Sequence, residues 1–355
     1  MAYTTIDKHT DHFNTILYAG TGSTGTKTGV GFQPDLTWIK ARDNTTWNYL
    51  YDSVRTAGIE KEIHSNSNAA EGASDSAAYG YLSAFASDGF SLYNGTSSSQ
   101  SLNESSKNYV AWNWKAGTTG SGTTTGSGTG KAYSYSVNTV SGISIVKYKG
   151  NATTGHTIPH HLGAVPKFYM TKKLNGSGDW YIYNYKSGAT KYLKLNENGG
   201  DGTSALWNDT APTSTVFNLD SNSAANGNDD DYIAYLFADI TGYSKIGSYI
   251  GNGDANGPFI YTGFKPSFVM WKKISTTEDW GISDNKRDTS NVMNNKLRPN
   301  SNSVESTSNA HVDYLSNGFK WRSASGEFNT SGDTYIYLSF GQSLVGSNNV
   351  PCTAR

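Results

Sequence analysis

The sequence has little of what marks several common classes of protein. Its 355 residues include a single cysteine, Cys352, which excludes an internal disulfide framework. Only 16% of the residues are charged, the formal net charge is -1, and the lysines and arginines form no basic stripe, so we expect no nucleic-acid partner. No apolar run approaches the ~20 residues that cross a bilayer, and the first residues have neither the charged leader nor the apolar segment of a signal peptide. We therefore expect a protein that is made in a cytoplasm, is not secreted and does not insert into a membrane.

Helical periodicity is also scarce in this chain. The best candidate is the stretch 52–63, which predicts a turn or a short helix at most. Glycine, tyrosine and tryptophan are frequent instead, with 39, 24 and 9 residues. This mixture favours short strands joined by turns, and hence an all-β fold.

One stretch of sequence occurs three times, and each copy has a proline followed by an apolar, β-prone run that ends in lysine. The copies are residues 28–40 (TGVGFQPDLTWIK), 161–173 (HLGAVPKFYMTKK) and 263–273 (GFKPSFVMWKK). Proline cannot donate to a β-ladder, so Pro34, Pro166 and Pro266 suit the start of a strand. Four further landmarks recur around each copy in the same order: a short strand with a glycine-rich turn, a tryptophan (Trp47, Trp180 or Trp280), a later short strand (88–93, 215–220 or 317–322) and an aromatic closing strand (109–114, 232–237 or 335–340). Such a repeat indicates duplicated structural units.

The repeat predicts an all-β protein of three tandem, jelly-roll-like β-sandwich domains. We place unit 1 at residues 1–116, unit 2 at 132–242, and unit 3 at 243–355 with a short C-terminal tail. Residues 117–131 are almost entirely glycine, serine and threonine, so we predict a flexible linker with a reach of about 20 Å.

Alternation along the closing strands predicts which side chains lie inside. Val110, Trp112 and Trp114 share one face of the first closing strand, and apolar residues hold the same positions in the other two units. We therefore expect this face to point into the core of its own unit, so that each sandwich closes over a separate interior.

Several motifs that suggest chemistry have simpler explanations. Residues 20–25 match a dinucleotide-binding pattern, but no helix follows, so a glycine-containing hairpin turn is the better interpretation. The cluster of His156, His160 and His161 has no fourth metal ligand nearby, and the adjacent acids at 229–231 point apart, so we expect no metal site. Glu278, Asp279, Glu305 and Glu327 are carboxylates of the type glycosidases use, but any long chain supplies such a set. We expect no catalytic residues and no cofactor.

Aromatic residues leave one candidate binding residue. Sugars stack on exposed rings, and Trp207 lies in a loop-like stretch without an obvious counterpart in the other units. Trp207 is therefore the candidate glycan contact, although a lone loop tryptophan more often packs into a core.

The repeated residues resemble a family of tailed-phage virion structural proteins, often described as tail-fibre-like and common in marine phages. The resemblance covers nearly the whole chain and is carried by residues 2–7, 28–40, 51–55, 87–90, 109–117, 142–146, 161–167 and 350–355. It is weaker at the turn 18–22 and in unit 3. The resemblance implies a non-enzymatic component displayed on the particle, and it implies no defined active site.

We therefore expect an exposed virion protein that is tail-associated and touches the host surface, with other virion proteins and a host-surface glycan as candidate partners. The symmetry of phage particles favours a homo-oligomer. The sequence has no heptad repeat for a coiled-coil shaft, which favours a compact spike or appendage over a long fibre. A head decoration protein and a lectin-like adhesin are the alternatives, and a polysaccharide depolymerase is a less favoured one.

Overall fold

Each unit of the chain folds as two antiparallel sheets, one large and one of three strands. A computed structural model describes residues 4–308 and 310–345, so the predicted C-terminal tail and Cys352 lie outside the described residues. A 3-10 helix, His9–Asp11, precedes the first strand. Strand is the dominant structure, and the all-β prediction is confirmed.

Unit 1 has a five-stranded sheet in the order β1-β8-β3-β4-β5 and a three-stranded sheet in the order β2-β7-β6. Its elements are β1 (Phe13–Ala19), β2 (Gly25–Thr28), β3 (Leu36–Ala41), β4 (Tyr49–Asp52), β5 (Ile63–His64), α1 (Ser76–Tyr79), β6 (Tyr81–Ala86), β7 (Gly89–Tyr93) and β8 (Asn108–Trp114). Residues 53–62, the best helix candidate in the sequence, form turns and bends.

Unit 2 repeats this plan and adds strands from the segment that precedes it. The additional strands are β9 (Thr118–Thr123), β10 (Thr125–Gly126) and β11 (Ala132–Asn138). The rest are β12 (Ile143–Lys149), β13 (His156–Pro159), β14 (Phe168–Lys173), β15 (Trp180–Asn184), β16 (Lys191–Lys194), β17 (Gly202–Thr203), β18 (Val216–Leu219), α2 (Ser223–Asn226) and β19 (Asp231–Phe237). The sheets have the orders β17-β16-β15-β14-β19-β12-β11-β9 and β10-β13-β18.

The prediction of a flexible linker at residues 117–131 was therefore wrong, because most of this segment is strand. β9 pairs with β11 over its whole length, and Gly120 and Gly122 lie opposite Tyr135 and Tyr133. A side chain at either glycine would collide with the tyrosine ring opposite it. The two rings thus cover glycines that would otherwise leave the strand without side-chain packing.

Unit 3 has sheets in the orders β20-β26-β22-β23 and β21-β25-β24. Its strands are β20 (Ser244–Ile250), β21 (Phe259–Tyr261), β22 (Phe264–Lys273), β23 (Gly281–Asp284), β24 (Val312–Leu315), β25 (Gly318–Trp321) and β26 (Thr334–Ser343). Strand pairing places the three repeat prolines at equivalent positions. Each lies two residues before an apolar residue (Leu36, Phe168 or Phe268) that pairs with the equivalent residue of its closing strand. In unit 3 that position is a β-bulge between Pro266 and Phe268.

The glycine at the end of each first strand allows a close approach that is repeated in all three units. A Cβ at Gly20, Gly150 or Gly251 would lie within about 2.2 Å of a backbone carbonyl oxygen in the loop before the closing strand. In unit 1 the chain then crosses from the large sheet to the small one, because β1 pairs with β8 and β2 pairs with β7. The turn at 20–25 therefore connects two sheets, and the prediction of a simple hairpin was wrong.

The repeated apolar faces meet in one central core that all three units share. Val110, Trp112 and Trp114 point into this core, and so do the equivalent residues of units 2 and 3. The Trp114 ring of unit 1, for example, contacts three rings of the other two units, those of Phe237, Phe268 and Phe340. The expectation that this face closes over its own unit was wrong, because the opposite face of each large sheet does so.

A separate core between the large and the small sheet completes each sandwich. Tyr109 and Ala111 of β8 face the core of unit 1, while Tyr232 and Ala234 of β19 face that of unit 2. Tyr335 faces the core of unit 3. The central strands of the large sheets are thus buried on both faces, with the shared core on one side, whereas the edge strand β9 of unit 2 is largely exposed. The unit boundaries stay a prediction from the sequence.

Equivalent hydrogen bonds close the three units into a ring. In each, a backbone N–H of one unit donates to a carbonyl oxygen of the next: Glu71 to Leu174 (2.9 Å), Asp201 to Ile274 (2.9 Å) and Glu305 to Arg42 (2.7 Å). Because the third bond returns to unit 1, the contact is of the head-to-tail kind that generates a closed ring.

One lysine at or next to the end of each repeat motif lies at the same contacts. Lys40, Lys172 and Lys272 are buried, and each Nζ donates across a unit boundary, to the carbonyl oxygens of Asn302, Asn68 and Asn198 respectively. Burial lowers the pKa of each of these lysines to about 8. The three equivalent pKa shifts are a further sign that the ring has pseudo-threefold symmetry.

Candidate functional site

The residue chosen from the sequence as a glycan contact lies in the core of unit 2. Trp207 is 0% exposed, packs edge-on against Tyr169 at 4.9 Å, and donates its indole N–H to the carbonyl oxygen of Lys191. A buried ring has no open face for a sugar. The prediction that Trp207 is a binding residue was therefore wrong, because its side chain packs in the core.

The histidines of the sequence cluster have separate protein partners. His156 is buried between Asn226 and Thr124, and His160 contacts the carbonyl oxygen of Thr213. His161 stacks on Tyr135 at 3.8 Å. Within residues 4–308 and 310–345, no group of three or more histidines, cysteines, aspartates or glutamates is arranged to hold a metal ion.

Most of the acidic candidates are engaged in ion pairs, whereas Glu278 accepts a hydrogen bond from the Asp279 N–H. Asp229, Asp230 and Asp231 bind three different lysines, namely Lys131, Lys173 and Lys149. Asp279, Glu305 and Glu327 each contact one or two arginine or lysine side chains. These carboxylates hold loops and neighbouring units together.

A cleft in unit 1 has a volume of about 670 Å³. Three segments form its walls: residues 44–49, which lead into β4; residues 73–79, which include α1; and residues 99–107, which precede β8. Small-molecule sites commonly occupy roughly 300–1,000 Å³, so the cleft has the size of a binding site.

Aromatic side chains form part of its wall. Trp47 is partly exposed, and Tyr79 at the end of α1 is 42% exposed. Tyr49 lies deeper and donates its hydroxyl to Ser101 Oγ at 2.8 Å. The cleft therefore presents ring surface to solvent.

A buried histidine supports the Trp47 ring from behind. His64 lies 4.4 Å from Trp47 and 4.6 Å from Tyr49, both edge-on. Burial lowers the pKa of His64 to about 3, so its imidazole is neutral near pH 7. The two ring nitrogens have no hydrogen-bond partner among the described residues. His64 thus serves as an uncharged aromatic support.

Polar groups with spare hydrogen-bonding capacity surround these rings. Glu104 accepts from the Asn44 amide at 3.3 Å, and Asp75 caps α1 by accepting from the Ala78 N–H. Neither carboxylate forms a salt bridge with any described residue, and hydroxyl side chains at 45, 46, 74, 99 and 101 complete the lining. The arrangement offers acceptors for hydroxyl groups beside an aromatic surface.

Trp47 does not occupy the repeat position that its sequence spacing indicated. Strand pairing aligns Leu50 with Ile182 and Ile282, so the equivalents of Trp180 and Trp280 in unit 1 fall on Asn48. Trp180 and Trp280 donate their indole N–H groups across unit boundaries to the carbonyl oxygens of His64 and Lys194. The Asn48 amide donates to the equivalent Arg298 carbonyl oxygen at 3.3 Å, so Asn48 fills the structural role.

The position of Trp47 itself is an aspartate in the other two units. Asp179 pairs with Lys194 at 2.8 Å, and Asp279 pairs with Arg298 at 3.1 Å. In unit 1 these two equivalent positions hold Trp47 and His64. Unit 1 therefore has an aromatic pair, beside the cleft, at the positions where units 2 and 3 have a surface ion pair. The sequence contains this signal. The tryptophan is the third residue of 45–52 (TTWNYLYD) but the fourth residue of the equivalent segment 177–184 (SGDWYIYN), and the spacing of the tryptophans alone did not reveal this one-residue shift.

The comparison with protein families places the whole ring in one family. A family model, described as a domain of unknown function (DUF7483), matches residues 8–343. The chain belongs to the DUF7483 family. The match spans all three units, in keeping with the central core that the units of this DUF7483 chain share. Searches of curated proteins and of solved structures returned no match. None of the helices in the described part of the chain is long and apolar enough to cross a membrane.

Proposed function

We propose that the chain is a non-enzymatic structural protein of a tailed-phage particle, displayed on the surface and associated with the tail. Its compact ring serves as a spike-like appendage that touches the host surface. Its partners are other virion proteins, and the particle's symmetry presents it as a homo-oligomer. The resemblance of the repeat motifs to virion structural proteins is the starting point of this proposal.

The structural observation that supports the proposal most strongly is the closure of the ring. Three units share a central core, and each contributes the same backbone hydrogen bond to the next. In such a body the central strands of each large sheet are covered on both faces. A rigid, prefolded unit of this kind suits a component that must keep its shape outside a cell.

A lectin-like adhesin is the second candidate, and the cleft in unit 1 favours it. Trp47 and Tyr79 offer exposed ring surface beside two carboxylates without salt-bridge partners among the described residues. A head decoration protein stays an alternative location for the same structural role. The two locations and the free adhesin differ in where the protein is found.

Analysis of purified phage particles tests the proposal. Mass spectrometry of density-purified particles should find the chain at a fixed copy number, and immunogold labelling should place it at the tail. Labelling over the head would replace the tail location with head decoration. Absence from particles together with free protein in the lysate would overturn the virion role.

A further inference from the structure

The divergence of unit 1 from its two repeats points to a binding surface. At the Trp47 position, units 2 and 3 have an aspartate that forms an ion pair with a lysine or an arginine, and this ion pair is sufficient for the local fold. Unit 1 needs no tryptophan there for the ring, because Asn48 makes the bond between units that Trp180 and Trp280 make elsewhere. A large aromatic side chain that the ring does not require, and that is partly exposed in this cleft, has a role outside the fold.

We propose that the cleft of unit 1 binds a neutral saccharide whose ring stacks on Trp47. This inference names the ligand class of the surface contact proposed above, and so rests on that function. The C–H face of a pyranose is apolar and packs against an aromatic ring, and Tyr79 supplies a second ring on another segment of the wall.

The support behind Trp47 fits a stacking platform. The indole is held edge-on by the His64 imidazole at 4.4 Å, and His64 is itself edge-on to Tyr49. Tyr49 is fixed in turn by its hydrogen bond to Ser101. This chain of contacts holds the indole in place before the ligand arrives, which reduces the entropy lost on binding.

The polar lining selects hydroxyl groups and disfavours anions. Glu104 and Asp75 are acceptors for sugar hydroxyls, and the Asn44 amide and the hydroxyls of Thr46 and Ser99 add donors and acceptors. With two carboxylates against one lysine, Lys107, the lining carries net negative charge, so a uronic acid or sialic acid would be repelled. The ligand class is therefore a neutral hexose oligosaccharide.

Affinity electrophoresis of the full-length protein tests the inference with defined probes. Native gels contain dextran, yeast mannan or galactan as neutral polysaccharides, and alginate as a polyuronate. We expect retardation in at least one neutral gel and none in alginate. Trp47→Ala should weaken retardation about tenfold or more, because removing a central aromatic contact commonly costs at least 1.4 kcal/mol. Tyr79→Ala should weaken it less.

Matched variants separate binding from folding. Tyr261→Ala removes a tyrosine that is 57% exposed on unit 3, far from the cleft in sequence, and should leave retardation unchanged. Trp47→Asp restores the residue type of units 2 and 3, and should fold while losing retardation. Circular dichroism checks that each variant is folded, and Glu104→Ala, which removes a hydrogen-bond acceptor of the cleft, provides a second loss-of-binding variant that leaves the rings intact.

Three results would overturn the inference: no retardation in any neutral gel, retardation by alginate alone, or full retardation of folded Trp47→Asp. The outcome is independent of the particle analysis. A protein that is present on particles but fails to bind defeats this inference and leaves the virion role. A protein that binds through Trp47 but is absent from particles supports this inference and defeats the virion role.

Discussion

A buried ion pair of unit 1 that accepts a hydrogen bond from unit 2 gives a sharp prediction about stability. Asp52 and Arg55 are both buried and lie 2.6 Å apart, and Tyr235 of unit 2 donates its hydroxyl to the same Asp52 oxygen at 2.7 Å. Unit 3 repeats the arrangement with Asp284, Arg287 and the Trp112 indole of unit 1. Unit 2 holds the neutral residues Asn184 and Ser187 at these positions.

The change to make is Arg55→Ser, followed by Asp52→Asn in the same chain. Arg55→Ser leaves a carboxylate buried without its cation, and should lower the free energy of unfolding by about 3–5 kcal/mol. Adding Asp52→Asn removes that charge, while the amide oxygen still accepts from the Tyr235 hydroxyl. The double variant should therefore recover roughly 1–3 kcal/mol, since an unpaired charge costs that much or more.

Urea unfolding followed by tryptophan fluorescence measures both variants. Lys8→Ser is the control, because the Lys8–Asp11 pair has side chains that are more than half exposed, and losing it should cost about 0–1 kcal/mol. A double variant no more stable than Arg55→Ser would refute the reasoning, because the cost would then come from lost packing and not from an uncompensated charge.

Further predictions follow from the lysines, the paired linker and Trp207. Lys40, Lys172 and Lys272 have folded pKa values of about 8, below the ~10.4 of an unfolded lysine, so the unfolded chain binds more protons above pH 8. The free energy of unfolding in urea should therefore rise between pH 8 and pH 9.5, and Lys172→Met should flatten that rise; a fall over this range would contradict the pKa shifts. Native protein should resist trypsin and proteinase K within 117–131, whereas Gly120→Val, which collides with Tyr135, should open that segment to cleavage; equal cleavage of both would count against the paired strand. Trp207→Ala should destabilise the protein by about 3–5 kcal/mol while its folded fraction keeps any saccharide retardation, which a surface role for Trp207 would not allow.

Local alternation correctly indicated strands and their faces, but it could not say where a face points. Val110, Trp112 and Trp114 do lie on one face, as the period of two requires. The destination of that face was missed because an apolar face looks the same whether it covers its own unit or a neighbouring one. The apolar residues Tyr109 and Ala111 on the other face were the available sign that the sheet is buried on both sides.

The composition of residues 117–131 predicted the wrong structure for a different reason. Glycine, serine and threonine are typical of flexible chain, but Gly120 and Gly122 become strand because tyrosines on the next strand cover them. That packing is a tertiary property that the segment's own sequence does not carry. The same holds for the cleft, where Trp47 could be told apart from Trp180 and Trp280 only after strand register fixed the alignment.

Calorimetric unfolding tests the central structural claim, that three repeated units form one body around a shared core. The full-length protein should unfold in one transition whose calorimetric enthalpy equals its van't Hoff enthalpy, because no unit can keep one face of its large sheet covered without the other two. A calorimetric enthalpy about three times the van't Hoff value, as independent domains would give, would contradict the shared core.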